Sequence, residues 1–260
     1  MTRLRQFAVA LAAGALLALG GLVVFASSSD PEKGSAGLAA PSPGTSALAG
    51  RELFVARCSS CHGANGEGTA NGPSLLIVGA AAADFELRTG RMPFTGPPGS
   101  QAMRKPPAFN EREIQALVAF VASLGNGPAI PETRIDLRLL SDGERLYIAN
   151  CAPCHGATAN GGAVGGGALA PPLDRATSVE IAEAMLIGPG EMPVFTALAP
   201  TDRDAIVTYL DELRTAPNPG GFSIGGIGPV PEGFVAWVIG MGMLLIVVVL
   251  VGRDWRSARP

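Results

Sequence analysis

Cys58-Ser59-Ser60-Cys61-His62 and Cys151-Ala152-Pro153-Cys154-His155 are two copies of one pentapeptide, 93 positions apart, and together they use all four cysteines and both histidines of the chain. C-x-x-C-H is the attachment pattern of c-type haem. Both thiols add across vinyl groups of the porphyrin, and the adjoining imidazole is held against the iron as its proximal ligand. Other uses of these residues fit worse. A structural zinc site wants four ligands from neighbouring pairs. A redox dithiol follows a strand in a βαβ pattern, whereas both pentapeptides end a helical stretch and run into glycine-rich loops. Structural disulfides leave the paired histidines unexplained. The sequence therefore asks for two covalently bound haem c groups, on Cys58 and Cys61 and on Cys151 and Cys154, with His62 and His155 as iron ligands.

Outward from each motif the same order of elements repeats. In the first copy, which starts near Ala47, LAGRELFVARC (Leu48 to Cys58) is apolar-periodic and delivers Cys58. A middle helix is expected near Ala80 to Thr89. Asn110, with Glu113 three positions on, opens the last helix as a capping box. Leu117, Phe120, Val121 and Leu124 share one face of it, and Gly125 stops it. In the second copy Ser141 with Glu144 is expected to cap SDGERLYIANC, which delivers Cys151. A middle helix follows near Ser178 to Ile187, and Thr201 is expected to cap DRDAIVTYLDELR before Pro217. Phe54 and Tyr147 occupy equivalent places, as do Phe120 and Tyr209, and should pack first helix against last. This is a duplication of an all-α unit; solenoid periods are shorter.

With both histidines spent, the far side of each iron needs another ligand. Met92 in Arg91-Met92-Pro93-Phe94 and Met192 in Glu191-Met192-Pro193-Val194-Phe195 lie 30 and 37 residues past their histidines, each between middle and last helices. A thioether there gives His/Met iron and a raised potential. Met185 falls mid-helix among apolar neighbours and reads as core; Met103, in a loop, is a competitor for the first haem. Pro73 and Pro171 occupy matching places and are expected to offer a carbonyl to the imidazole N–H, which fixes the ring.

Glycine (35) and proline (22) exceed a fifth of the 260 residues, a composition that small haem domains tolerate because the porphyrin supplies much of the apolar core. Seven basic and six acidic residues between Ala47 and Gly125 give +1, and three basic against ten acidic between Ser141 and Leu213 give −7. No feature points to nucleic acid. Phe234 to Val251 is free of charge and long enough to span a bilayer. Trp237 and Trp255 lie near its ends, and Arg253, Arg256 and Arg259 follow it, which predicts a cytoplasmic C-terminus. Phe7 to Phe25, after Arg3 and Arg5, reads as a retained anchor or a secretory leader, with the anchor favoured over a cleavage near Ala26. Either way the part between is exported. The resulting layout is 1–29 signal or anchor, 30–46 flexible tether, 47–125 first domain, 126–140 linker, 141–214 second domain, 215–232 Gly/Pro linker, 233–252 transmembrane helix and 253–260 basic tail.

The two units resemble the class I cytochrome c fold, and the chain from Ala47 onward is similar to a narrower family. Its ordered stretches Asn71-Gly-Pro-Ser-Leu75, Val78 to Phe85, Thr89-Gly-Arg-Met-Pro93, Arg104-Lys-Pro-Pro107, Gly127-Pro-Ala-Ile-Pro131, Gly188-Pro189 before Met192, Pro219-Gly-Gly221 and Gly228-Pro229 resemble the dihaem cytochrome c subunit of the actinobacterial-type menaquinol–cytochrome c reductase, the cytochrome bcc complex. The Gly161 to Gly167 loop and the N-terminal sequence depart from that pattern. The resemblance implies an electron-transfer subunit, without a catalytic site of its own, beside a Rieske iron–sulfur subunit and a cytochrome b subunit. It further implies delivery to a haem-copper oxidase in a supercomplex, with the N-terminal haem as acceptor and the C-terminal haem as donor. The residues by themselves also allow a membrane-tethered dihaem carrier, a subunit of another respiratory complex and, further off, a dihaem peroxidase, which would need one iron free of Met92 or Met192.

Overall fold

A computed structural model describes residues 43–97, 99–216 and 229–257. The N-terminal apolar segment, most of the tether and the segment 217–228 lie outside the described residues.

The first unit comprises α1 (Pro43–Arg57), the single turn α2 (Ser59–His62), α3 (Gly79–Arg88) and α4 (Glu111–Ser123). The second repeats the order with α5 (Leu140–Asn150), α6 (Ala152–His155), α7 (Ser178–Ile187) and α8 (Pro200–Thr215). In each, the first helix crosses the last. That crossing is close because a glycine sits in it. A Cβ on Gly50 would lie 1.9 Å from the Ala116 carbonyl oxygen, and one on Gly143 would lie 2.0 Å from that of Ala205. Next to each glycine an aromatic pair fills the angle: Phe54 on Phe120 with ring centres 5.0 Å apart, and Tyr147 on Tyr209 at 5.4 Å. The expected packing of these pairs is thus what the fold uses. Phe54, Leu117, Phe120 and Val121 centre one core, and Tyr147, Met185, Ile206, Val207 and Leu210 the other.

Capping follows the sequence in part. Asn110 accepts from the Glu113 N–H while Glu113 accepts from the Asn110 N–H, the reciprocal box expected there. Thr177 and Glu180 make the same box at α7. The other two caps differ. Ser141 is inside α5, which starts a residue earlier because a 3₁₀ turn, Leu137–Leu139, capped by Asp136, winds directly into it. Thr201 is inside α8, where Pro200 takes the first turn and Asp202 accepts from the Ala199 N–H.

The all-α expectation needs one amendment. The glycine-rich loop after the second motif folds as a hairpin, β1 (Gly162–Gly165) against antiparallel β2 (Ala168–Ala170). Its turn carries Gly165, Gly166 and Gly167 at positive φ, a backbone that L side chains resist. Last comes α9 (Pro229–Ser257); its stretch Gly233–Arg253 is long and apolar enough to cross a membrane, with none of its side chains buried against the rest of the chain.

Candidate functional site: two haem-attachment motifs

Each pentapeptide is wound into one helical turn. The His62 N–H and Cys61 N–H both reach the Cys58 carbonyl, at 2.9 and 3.1 Å, and His155 and Cys154 repeat this on Cys151 at 2.8 and 3.1 Å. A turn of this kind puts residues i and i+3 on one face, which is the placement two thioether bonds to one porphyrin require. Gly63 and Gly156 follow at φ of 80° and 76°. There the chain reverses, and the Gly68 and Gly161 N–H groups donate back to the carbonyls of His62 and His155. Tyr147 braces the second turn by donating its hydroxyl to the Gly156 carbonyl at 2.7 Å. The matching Phe54 has no hydroxyl to do so.

Both imidazoles are oriented by a proline carbonyl. Nδ1 of His62 lies 2.8 Å from the Pro73 oxygen, and Nδ1 of His155 lies 3.0 Å from that of Pro171. A carbonyl only accepts, so Nδ1 carries the proton in both rings and Nε2 is left with its lone pair for a metal. Burial of the His155 ring lowers its pKa, against the Pro171 bond that raises it. Burial also pushes the Cys151 thiol up to about 11.

The residues fit haem c. A cavity of about 490 Å³ is lined by Cys58, Cys61, His62, Pro73, Leu75 and Met92 among others. Ile187, Gly188 and Pro189 of the second unit line it as well. Beside Met92, the Arg91 guanidinium lies over the Phe85 ring, 4.7 Å from its centre, and its buried Nη1 meets no acceptor on the polypeptide. A haem carboxylate is the kind of acceptor it lacks. Met92 packs, half-buried, against the first core and Met192 against the second. Met103 is exposed and absent from that lining, and Met185 is buried in the second core.

The cytochrome c family profile matches residues 47–125, and that of cytochrome c oxidase, cbb3-type, subunit III matches residues 138–210. The cytochrome bc1 complex cytochrome c subunit of Corynebacterium diphtheriae is 36% identical over 230 residues, covering 81% of this chain and 80% of that protein. The chain belongs to that family. Its counterpart in Mycobacterium tuberculosis is 42% identical over 203 residues, 74% of this chain and 72% of the relative. A more partial match, 33% over 141 residues, is to the cbb3-type cytochrome c oxidase subunit CcoP of an Azospirillum species, covering 49% of this chain and 46% of that one. As a member of this family the chain carries two covalently bound haems c on two cytochrome c domains and takes part in respiratory electron transfer.

Two features of the site went unread in the sequence. One is the lining of the first cavity by Ile187 to Pro189. The other is a cluster of charged residues between the domains: Asp84, Arg88 and Glu111 from the first, Glu180 and Glu183 from the second, and Arg104 reaching across. The only local sign of it was two acids, three apart, in the otherwise apolar helix SVEIAEAMLI.

Proposed function

We propose that this chain is the dihaem electron wire of a menaquinol–cytochrome c reductase, carrying electrons from a Rieske iron–sulfur protein to a haem-copper oxidase. The observation that carries the reading is the adjacency of the two sites: the turn Gly188-Pro189, which leads into Met192 of the second domain, also lines the cavity of the first. Haem c, when bound, supplies one-electron redox chemistry. Cys58, Cys61, Cys151 and Cys154 fix it covalently. His62 with Met92, and His155 with Met192, would hold the iron when haem is bound, and with both ligands in place no site would be left for substrate. The Pro73 and Pro171 carbonyls lock the imidazoles, so little of the polypeptide has to rearrange. No general base or substrate pocket is called for, which makes the chain an electron-transfer subunit of the reductase without a catalytic site of its own. The span Gly233–Arg253 supports membrane attachment, with the haem domains outside and the Arg-rich end in the cytoplasm. Cytochrome b and the Rieske subunit would then be its fixed neighbours.

Mild extraction of the tagged chain from its own membranes tests this. Haem b and a Rieske signal in electron paramagnetic resonance, in fixed ratio to two haems c, are expected, and co-purified haem a places the oxidase beside it. Haem c alone, two per chain, would overturn the assignment to a reductase.

A further inference from the structure

Helix α7 of the second domain packs on α3 of the first. Glu183, on α7, is fully buried, and neither of its carboxylate oxygens has a hydrogen-bond partner. Its neighbour across the interface is Asp84, 3% exposed, whose two oxygens already accept from Nε of Arg88 at 2.8 Å each. Two ionised carboxylates side by side are both acceptors and lack a donor between them. One proton supplies it. Since Asp84 already has its arginine, the proton belongs on Glu183.

We propose that Glu183 is a positioning residue for electron transfer between the two haem sites, holding α7 against α3 by sharing one proton with Asp84. Four residues beyond Glu183, α7 ends at Ile187, and Ile187, Gly188 and Pro189 line the first haem cavity. The pair thus sets how closely the second domain closes that cavity. The proposal rests on the two haem domains and is independent of the redox partners proposed above.

The charges around the pair are accounted for. From α3 come Asp84 and Arg88, and Arg88 in turn holds Glu111 of α4 through a two-pronged contact at 2.6 and 2.8 Å. On α7 itself Glu180 is held by Arg104 through contacts of 3.0 to 3.1 Å, with Arg91 near it. From α8, Ile206, Val207 and Leu210 face the core, while Arg203 and Arg214 donate to the carbonyls of Leu198 and Ala176. Arg88 favours ionised Glu183, whereas burial, Asp84 and Glu180 oppose it, and burial dominates, so its pKa is raised well above the carboxyl range. Separated domains return Glu183 to water and ordinary acidity. Docking therefore takes up a proton: the clamp is complete at low pH and weakens as pH rises toward the raised value, by about tenfold per pH unit for one linked proton.

The test uses the full-length haem-loaded protein in detergent. Infrared spectra should show the C=O stretch of a neutral carboxylic acid at neutral pH, absent from Glu183→Gln. Hydrogen exchange of α3 and α7 peptides, corrected for intrinsic rates, should lose protection between about pH 6 and about pH 9. Glu183→Gln should hold protection flat over that range, because its amide donates to Asp84 without titrating, and Glu183→Ala should lose protection at every pH. A residue that merely fills space would not separate Gln from the wild type by pH. No neutral-acid band, or a pH course in Glu183→Gln that tracks the wild type, overturns the proposal. Should Glu183→Gln not assemble with haem, Asp84→Asn asks the same question: the amide can donate to Glu183 and no longer repels its charge, so the loss of protection should set in at lower pH and span a narrower range than in the wild type, and an unchanged course overturns the shared proton.

Discussion

Replacing Gly143 with alanine puts a methyl group into the crossing of α5 and α8. The new Cβ would lie 2.0 Å from the Ala205 carbonyl oxygen, 2.6 Å from its carbon and 3.0 Å from Cβ of Tyr209, where ordinary contact begins at 3.4 Å. The nearest obstacle is backbone, which cannot swing aside, so the helices must part by about 1.4 Å along that line, the difference between 3.4 and 2.0 Å. Parting them loosens the Tyr147–Tyr209 pair, and Tyr147 is completely buried. Overpacking of this kind costs about 1–3 kcal/mol, toward the upper end against rigid backbone. Alanine's better helix propensity returns about 0.5–1 kcal/mol. The balance is a loss of about 1–2 kcal/mol. Hydrogen exchange by mass spectrometry reads it domain by domain: α5 and α8 peptides should exchange about 5–30 times faster at their most protected amides, with α1 and α4 unchanged. If α5 and α8 exchange at the wild-type rate or more slowly, propensity outweighs the clash and the reading of the crossing is wrong.

Met92→Ala and Met192→Ala should each open one iron to carbon monoxide in the reduced protein, so that about half of the haem binds it in either variant while the wild type resists; a wild type that binds as readily would remove the methionines from the ligand set. Acid should weaken the tie between α3 and α4. The hydrogen bonds from Arg88 hold the Glu111 carboxyl below its ordinary range. A lowered folded pKa gives stability that is full above the unfolded value and lost as pH falls through the folded one. Glu111→Gln should therefore flatten the acid limb of the first domain's unfolding curve, followed by circular dichroism, and an unaltered acid limb would show that the exposed pair contributes nothing.

What was legible in the sequence was chemistry tied to local spacing. Two thiols three apart and an imidazole next to the second form a haem motif wherever one helical turn carries them, and the turn at 58–62 recurs at 151–155. The Asn110–Glu113 box was equally local, since both its partners lie within one turn. The expected proline carbonyls do meet the imidazoles, across 11 and 16 residues. The caps at Ser141 and Thr201 misled because a 3₁₀ turn and Pro200 start those helices earlier, and a side chain inside a helix no longer faces the free N–H groups. The Gly161 to Gly167 loop hid its hairpin, for glycine permits the tight turn without announcing the pairing.

Local sequence was enough to place two haem c units, the cysteine pairs that attach them and the helices around each motif. Those facts follow from covalent geometry and from periodicities of a few residues. It took the folded chain to show that Gly50 and Gly143 are places where two helices nearly touch, that Ile187 to Pro189 line a cavity belonging to the other domain, and that Asp84 and Glu183 are buried beside each other. Such contacts join residues from 62 to more than 130 positions apart. A carboxyl group's acidity depends on what surrounds it in space, and a helix pattern cannot say whether its charged side faces water or another domain.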